Sequence, residues 1–287
     1  MRTSFTLVLV VLVVLSEGPT DAVSSPPSSP ASKPRPSFET LVEVESAARL
    51  LAVLMDSGRS VINENLLIPD SPDAGKSLHA AAGTARPEAG EALRHAPSLR
   101  PDFSPVMFER QLAETFLGRS GIDLRALPSA RLSSSTKALL KQLVAASKTV
   151  VTEAQSGNSQ DRVRPTVHLI PAVFGSRVAL QFEAATGVRL KQTSLVPRNP
   201  ANMPDEFERA VLREFADPAF QREKVITEVT AKSGVLRLMY PLYATRQCLA
   251  CHGEPAGGEL DRMGYRKEGW KLGQNAGAIS VIMPIHP

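Results

Sequence analysis

Apolar residues between positions 39 and 62 fall at helical spacing: Leu41, Val44, Ala47 or Ala48, Leu51, and Leu54 or Met55. They share one face, and the pattern predicts a single long amphipathic helix. Residues 70–101 interrupt it with Ala, Gly and Pro, and read as a long excursion that contains His79 and His95. Helical periodicity then resumes as part of an internal repeat. Pro105-x-x-Phe108, Ala113, Phe116 and Ser120-Gly121-Ile122-x-Leu124-Arg125 return as Pro171-x-x-Phe174, Ala179, Phe182 and Thr186-Gly187-Val188-x-Leu190-Lys191. Upstream, Leu50-Leu51, Leu54 and Arg59-Ser60-Val61-Ile62-x-Glu64 correspond to Leu139-Leu140, Leu143 and Lys148-Thr149-Val150-Val151-x-Glu153. Each copy is expected to be a long helix, a loop, and a second helix opened by proline and closed by glycine. The paired phenylalanines share a helical face, where core packing is their expected role. Two copies are too few for a solenoid, so the repeat implies a duplicated helical pair.

Beyond the second copy the period becomes that of strands. Residues 188–195 read as a strand and 196–202 as a turn-forming stretch. Pro204 opens a helix with Asp205 and Glu206 in its first turn, and Phe207, Val211 and Phe215 form its apolar stripe until Pro218. Residues 224–231 and 235–240 alternate across Lys232-Ser233-Gly234, and a glycine-rich loop over 253–277 leads to a last strand at 278–285. Helices followed by antiparallel strands predict an α+β fold.

The N-terminus changes the picture. Arg2 precedes a run over 5–15 that is apolar apart from Thr6, and a polar stretch over 17–22 ends in a small residue. Residues 1–22 therefore read as a secretory signal peptide, its apolar run being too short for the ~20 residues of a membrane span. No cysteine lies near the cleavage region, so no stable membrane anchor is expected after cleavage. A Pro/Ser tract at 23–37 reads as a linker. The helical first repeat then occupies 38–135, and 136–287 hold the second repeat and the strand-rich part. Net charge is only +4, with no long Lys/Arg run, so nucleic acid is not an expected partner.

The chemistry lies near the C-terminus, in Cys248-Leu249-Ala250-Cys251-His252. C-x-x-C-H is the signature of covalent haem attachment: each thiol can form a thioether, and the histidine that follows can ligate iron. A thioredoxin-like couple needs a βαβ context and does not explain His252. Structural zinc needs four ligands, and no second pair is present. The two cysteines are the only ones in the chain, so one haem c is expected, and export agrees with it. For the sixth iron position His168, Met239, Met283, His286 or no ligand remain open, with His168 favoured by its place just before the Pro171 helix. Met239 and Met283 have core packing as their ordinary role, and His79 and His95 have solvent exposure. Arg198 and Arg246 are candidates to neutralise haem propionates, with a loop-organising salt bridge as the alternative for Arg198. Tyr240, Tyr243, Tyr265 and Trp270 are candidates for contact with the porphyrin edge.

These segments resemble the Tll-like single-haem c-type protein family. The resemblance rests on Ile170-Pro171-Ala172-Val173-Phe174, on 198–208 (RNPANMPDEFE), on Pro241-Leu242, on the C-x-x-C-H-G stretch, on Gly269-Trp270-Lys271-Leu272-Gly273 and on Gly277-Ala278-Ile279-Ser280-Val281. It covers about residues 139–287, and it implies a PAS-like antiparallel sheet carrying haem c, flanked by the long helices with the one haem between sheet and helices. No catalytic residue set comes with it, so an enzyme is not expected, and no distal acid/base group for peroxidase-like turnover can be identified. The expected function is single-electron transfer with a redox partner protein, in the periplasm or outside the cell. The alternative is a redox or gas sensor with a weak or open sixth site.

Overall fold

The computed structural model describes residues 40–67, 97–156, 169–230, 234–257, 260–261, 263 and 265–285. The signal peptide, the linker, most of the 70–101 excursion, and His79, His95, His168 and His286 lie outside them.

Four long helices come first. Helix α1 spans Leu41–Glu64, with the Thr40 hydroxyl accepting from the Glu43 amide. After it, β1 (Leu66–Leu67) pairs antiparallel with β2 (Ser98–Leu99), closing the ends of the excursion. That short ribbon is too brief to show as alternation. Helix α2 (Pro105–Ser120) carries proline in its first turn and ends on Gly121 at φ 71°; α4 (Pro171–Thr186) does the same with Gly187 at φ 74°. Only glycine adopts that left-handed cap without strain. Between them lie a 3₁₀ segment, Leu124–Ser129, and α3 (Ser134–Ser156).

The helices share one apolar core with the sheet. Phe108, Phe116, Phe174 and Phe182 are all fully buried, as their spacing predicts. Phe108 of α2 meets Phe174 of α4 edge-on, ring centroids 5.6 Å apart. Gly58 of α1 lies beneath, where a Cβ would stand 2.8 Å from the Phe174 ring. Helix α1 packs against the other three long helices and also lies directly on the two central strands.

The sheet comprises β3 (Arg189–Thr193), β4 (Ile226–Thr230), β5 (Val235–Tyr243) and β6 (Asn275–Pro284). Its order is β3-β6-β5-β4, every pair antiparallel, with Leu190 and Leu238 flanking Val281. Alternation sends Leu236, Leu238, Ile279, Val281 and Met283 to the helical core. Met239 and Ala278 go to the other face, under Val211, Leu212 and Phe215 of α5 (Glu206–Phe215). Asp205 is the N-cap of α5, not a first-turn residue, and forms a capping box with Glu208. Strand β5 runs past the expected end at Tyr240, because pairing continues through Pro241 opposite Ala278. Proline lacks a ladder donor, which is why alternation alone stops before it.

Strands β5 and β6 are neighbours, yet the chain between them runs from 244 to 274. Its neck is pinned by Ala244 N–H to the Gln274 carbonyl and Gly273 N–H to the Ala244 carbonyl, both 2.8 Å. The C-x-x-C-H motif lies on this excursion, not between the sheet and the long helices as expected, because those two layers pack directly on each other in one apolar core. No helix among the described residues is long and apolar enough to cross a membrane.

Candidate functional site

The motif forms a single helical turn. The Thr245 carbonyl accepts from the Cys248 amide at 3.1 Å, and the Cys248 carbonyl accepts from Cys251 at 3.2 Å and His252 at 3.0 Å. These bonds build α6 (Leu249–His252), with Cys248 as its N-cap. Gly253 ends it by turning to extended backbone, and glycine is required there because a Cβ would lie 2.5 Å from the Leu249 carbonyl oxygen. Both cysteines are half-buried and neither is in a disulfide. The Cys248 sulfur lies 3.2 Å from the Thr245 hydroxyl.

His252 is held at an edge and a face. Its Nδ1 lies 2.8 Å from Glu268 Oε2, and its ring stacks on Trp270 at 4.2 Å with 10° between planes. The Trp270 amide donates to the His252 carbonyl at 2.8 Å. Burial lowers the His252 pKa, and the Arg198 charge lowers it further, outweighing the nearby carboxylates. Burial pushes Glu268 up, but hydrogen bonds from Arg198 and His252 hold it below its ordinary value. Read as an ion pair, the contact would need a protonated imidazole; the lowered His252 pKa argues for a neutral ring instead. Glu268 is then the ionised acceptor and Nδ1 carries the proton. Nε2 makes no bond to any described residue.

Arg198, on the loop between β3 and α5, binds three parts of the excursion. Its Nε donates to Glu268 Oε1 at 2.6 Å and Nη2 to Glu268 Oε2 at 2.8 Å, a bidentate fork. Its Nη1 donates to Asp261 Oδ2 at 2.5 Å, and Nη2 also reaches the Cys251 carbonyl at 3.0 Å. Asp261 is 2 % exposed, and its other oxygen accepts from the Met263 and Tyr265 amides at 2.9 Å. The Tyr265 ring lies under the Arg198 guanidinium at 5.1 Å.

A family model described as Tll0287-like matches residues 38–284. The chain belongs to the Tll0287-like family. One solved structure, "Crystal structure of the cyanobacterial heme-protein Tll0287", is 21 % identical to the Tll0287-like chain. It aligns over 51 % of this chain and 91 % of its own length, with a TM-score of 0.35. No curated protein matches.

In this Tll0287-like chain the sequence-predicted residues part company. Of the two roles open to Arg198, the structure displays the loop-organising salt bridge. Arg246 is exposed in the turn before Cys248 and forms no ion pair among the described residues. Tyr240 packs against the main core, and Tyr243 lies under Arg222 at 4.9 Å. Met239 and Met283 are fully buried core residues. Trp270 packs on the His252 ring. Asp261 and Glu268 were not singled out in the sequence, where acidic residues in a Gly-rich loop look like solvated surface. The adjoining Gly269-Trp270 segment was the available signal.

A c-type haem requires two thiols within one turn and a neutral imidazole with an open nitrogen. Cys248, Cys251 and His252 supply these groups. It also needs apolar cover. Among the described residues, five of the eleven exposed large apolar side chains are Leu195, Val196, Met203, Tyr265 and Leu272. All five belong to the two segments joined by Arg198, so the residues present fit the group.

Proposed function

We propose that this chain is an exported monohaem c-type protein that passes single electrons. Cys248 and Cys251 would hold one haem c through thioethers, with His252 as proximal ligand. The observation that carries the reading is the preparation of His252, held at its Nδ1 edge and its ring face, with Nε2 bonded to none of the described residues. The bound group supplies reversible one-electron chemistry. The protein fixes the ligand in advance, ties the α6 turn to the 195–204 loop through the Arg198–Cys251 contact, and offers Arg246, exposed and without an ion pair among the described residues, to a propionate. The family's namesake is called a heme-protein, which agrees with the reading.

The antiparallel order β3-β6-β5-β4, with long helices on one face and α5 on the other, supports a PAS-like description. Matching proline starts and glycine ends on α2 and α4 support duplication of a helical pair. Export follows from the apolar run at 5–15. The partner is a redox protein, and neither nucleic acid nor a membrane anchor enters the reading.

The test is expression of the full chain with haem-ligation machinery, followed by pyridine haemochrome and CO-difference spectra. A c-type haemochrome with an iron that resists CO is the expected result. Absence of any c-type haemochrome defeats the proposal. Ready CO binding by a high-spin ferrous form would replace electron transfer by gas sensing.

A further inference from the structure

The carboxylate behind His252 is not needed merely to close the loop. Arg198 already joins the loop before α5 to Asp261 and to the Cys251 carbonyl. Glu268 does something additional: its Oε1 and Oε2 receive the Arg198 fork, which fixes the carboxylate plane, and Oε2 also takes the His252 Nδ1–H. Two residues on, Trp270 stacks on the same imidazole. One extended segment therefore grips both the edge and the face of the ring. Arg198 contributes one positive charge against the two negative charges of Glu268 and Asp261, so the cluster keeps one net negative charge beside His252.

We propose that Glu268 is a positioning residue that sets the reduction potential of the site through His252, with Arg198 holding it in place. The inference rests on the haem c reading above. A ring nitrogen that donates to a carboxylate makes the opposite nitrogen a stronger base. A stronger base and a nearby negative charge both favour the ferric state, which carries one more positive charge than the ferrous. The site is thereby tuned to give electrons up readily, and an uncharged partner at Nδ1 would reverse the effect.

The test compares haem-loaded wild type with Glu268→Gln and Glu268→Asp, by redox titration and by electron paramagnetic resonance of the low-spin ferric form. Glutamine can still accept from Nδ1 but carries no charge. The ferric-to-ferrous ratio at fixed potential should fall about tenfold, an upward shift of about 59 mV for one electron. The largest g value should rise, because the imidazole becomes a weaker base. Glu268→Asp keeps the charge on a shorter arm and should shift both readouts the same way by less; it decides the matter if the glutamine variant does not accumulate. A loosened loop alone would broaden the signal without moving it, and that result counts against the inference. Haem-loaded variants with unchanged potential and g values overturn this inference. A wild type without c-type haem overturns the functional reading itself.

Discussion

Replacing Arg198 by methionine removes the cation from the network and leaves its carboxylates behind. The Asp261 side chain is 0 % exposed, Arg198 is 21 % and Glu268 24 %. Breaking a buried ion pair by removing one partner costs about 3–5 kcal/mol, because the remaining charge stays in a poorly solvating site. Asp261 keeps two amide donors and Arg198 has some contact with water, which places the cost at the lower end, about 3 kcal/mol. For a folded unit of this size each kcal/mol lowers the melting temperature by about 2–4 °C, so a fall of about 6–12 °C is expected. Thermal unfolding of the full chain followed by far-ultraviolet circular dichroism measures it. Arg198→Lys keeps the charge without the fork and should fall between wild type and methionine. The control is Arg189→Gln, whose pair with Glu183 is 59 % and 37 % exposed. A pair that open is worth about 0–1 kcal/mol and should move the transition little. If Arg198→Met melts no lower than Arg189→Gln, the claim that this network organises the site is wrong.

At α5, burial raises the Asp205 pKa, but the Glu208 amide and Arg237 together outweigh it and hold the carboxyl below its ordinary 3.8. A depressed carboxylate stabilises the fold fully above its unfolded value and loses that contribution as pH falls through the folded one. Asp205→Asn retains a capping side chain without the charge. Melting temperature should therefore drop less for the variant than for wild type between about pH 5 and pH 3; equal slopes would refute the assignment. In the helical core, Gly58→Val places a Cβ 2.8 Å from the Phe174 ring. Overpacking of this kind costs about 2 kcal/mol net of the gain in helix propensity, readable as a lower urea midpoint. At the motif, Cys251→Ala should leave a single thioether, and the pyridine haemochrome α band should move to longer wavelength as one vinyl stays conjugated. An unmoved band would show that Cys251 carries no attachment.

The helices were legible because each is a local object. Leu51, Phe108, Phe174 and their periodic neighbours mark buried faces, and Pro105, Pro171, Gly121 and Gly187 mark ends, all within a few residues of what they control. Strand existence was legible for the same reason, but strand ends were not. Pro241 breaks the alternation without breaking the sheet, since β6 continues opposite it. The β1–β2 ribbon was invisible because two-residue strands have no period.

The candidate site divides along the same line. The sequence alone determined the C-x-x-C-H turn, whose hydrogen bonds run from Thr245 to Gly253 and need nothing beyond neighbouring residues. It left Arg198 with two possible roles and marked Trp270 for the porphyrin edge, where the structure stacks it on His252. Tertiary structure decided what stands behind His252. Arg198 reaches Asp261 and Glu268 only because the β3–α5 loop and the β5–β6 excursion are brought together by the sheet. A carboxylate on a glycine-rich loop has the same local pattern whether it faces water or a buried guanidinium. Its partner, its burial and the proton on the histidine it holds are properties of the packed chain.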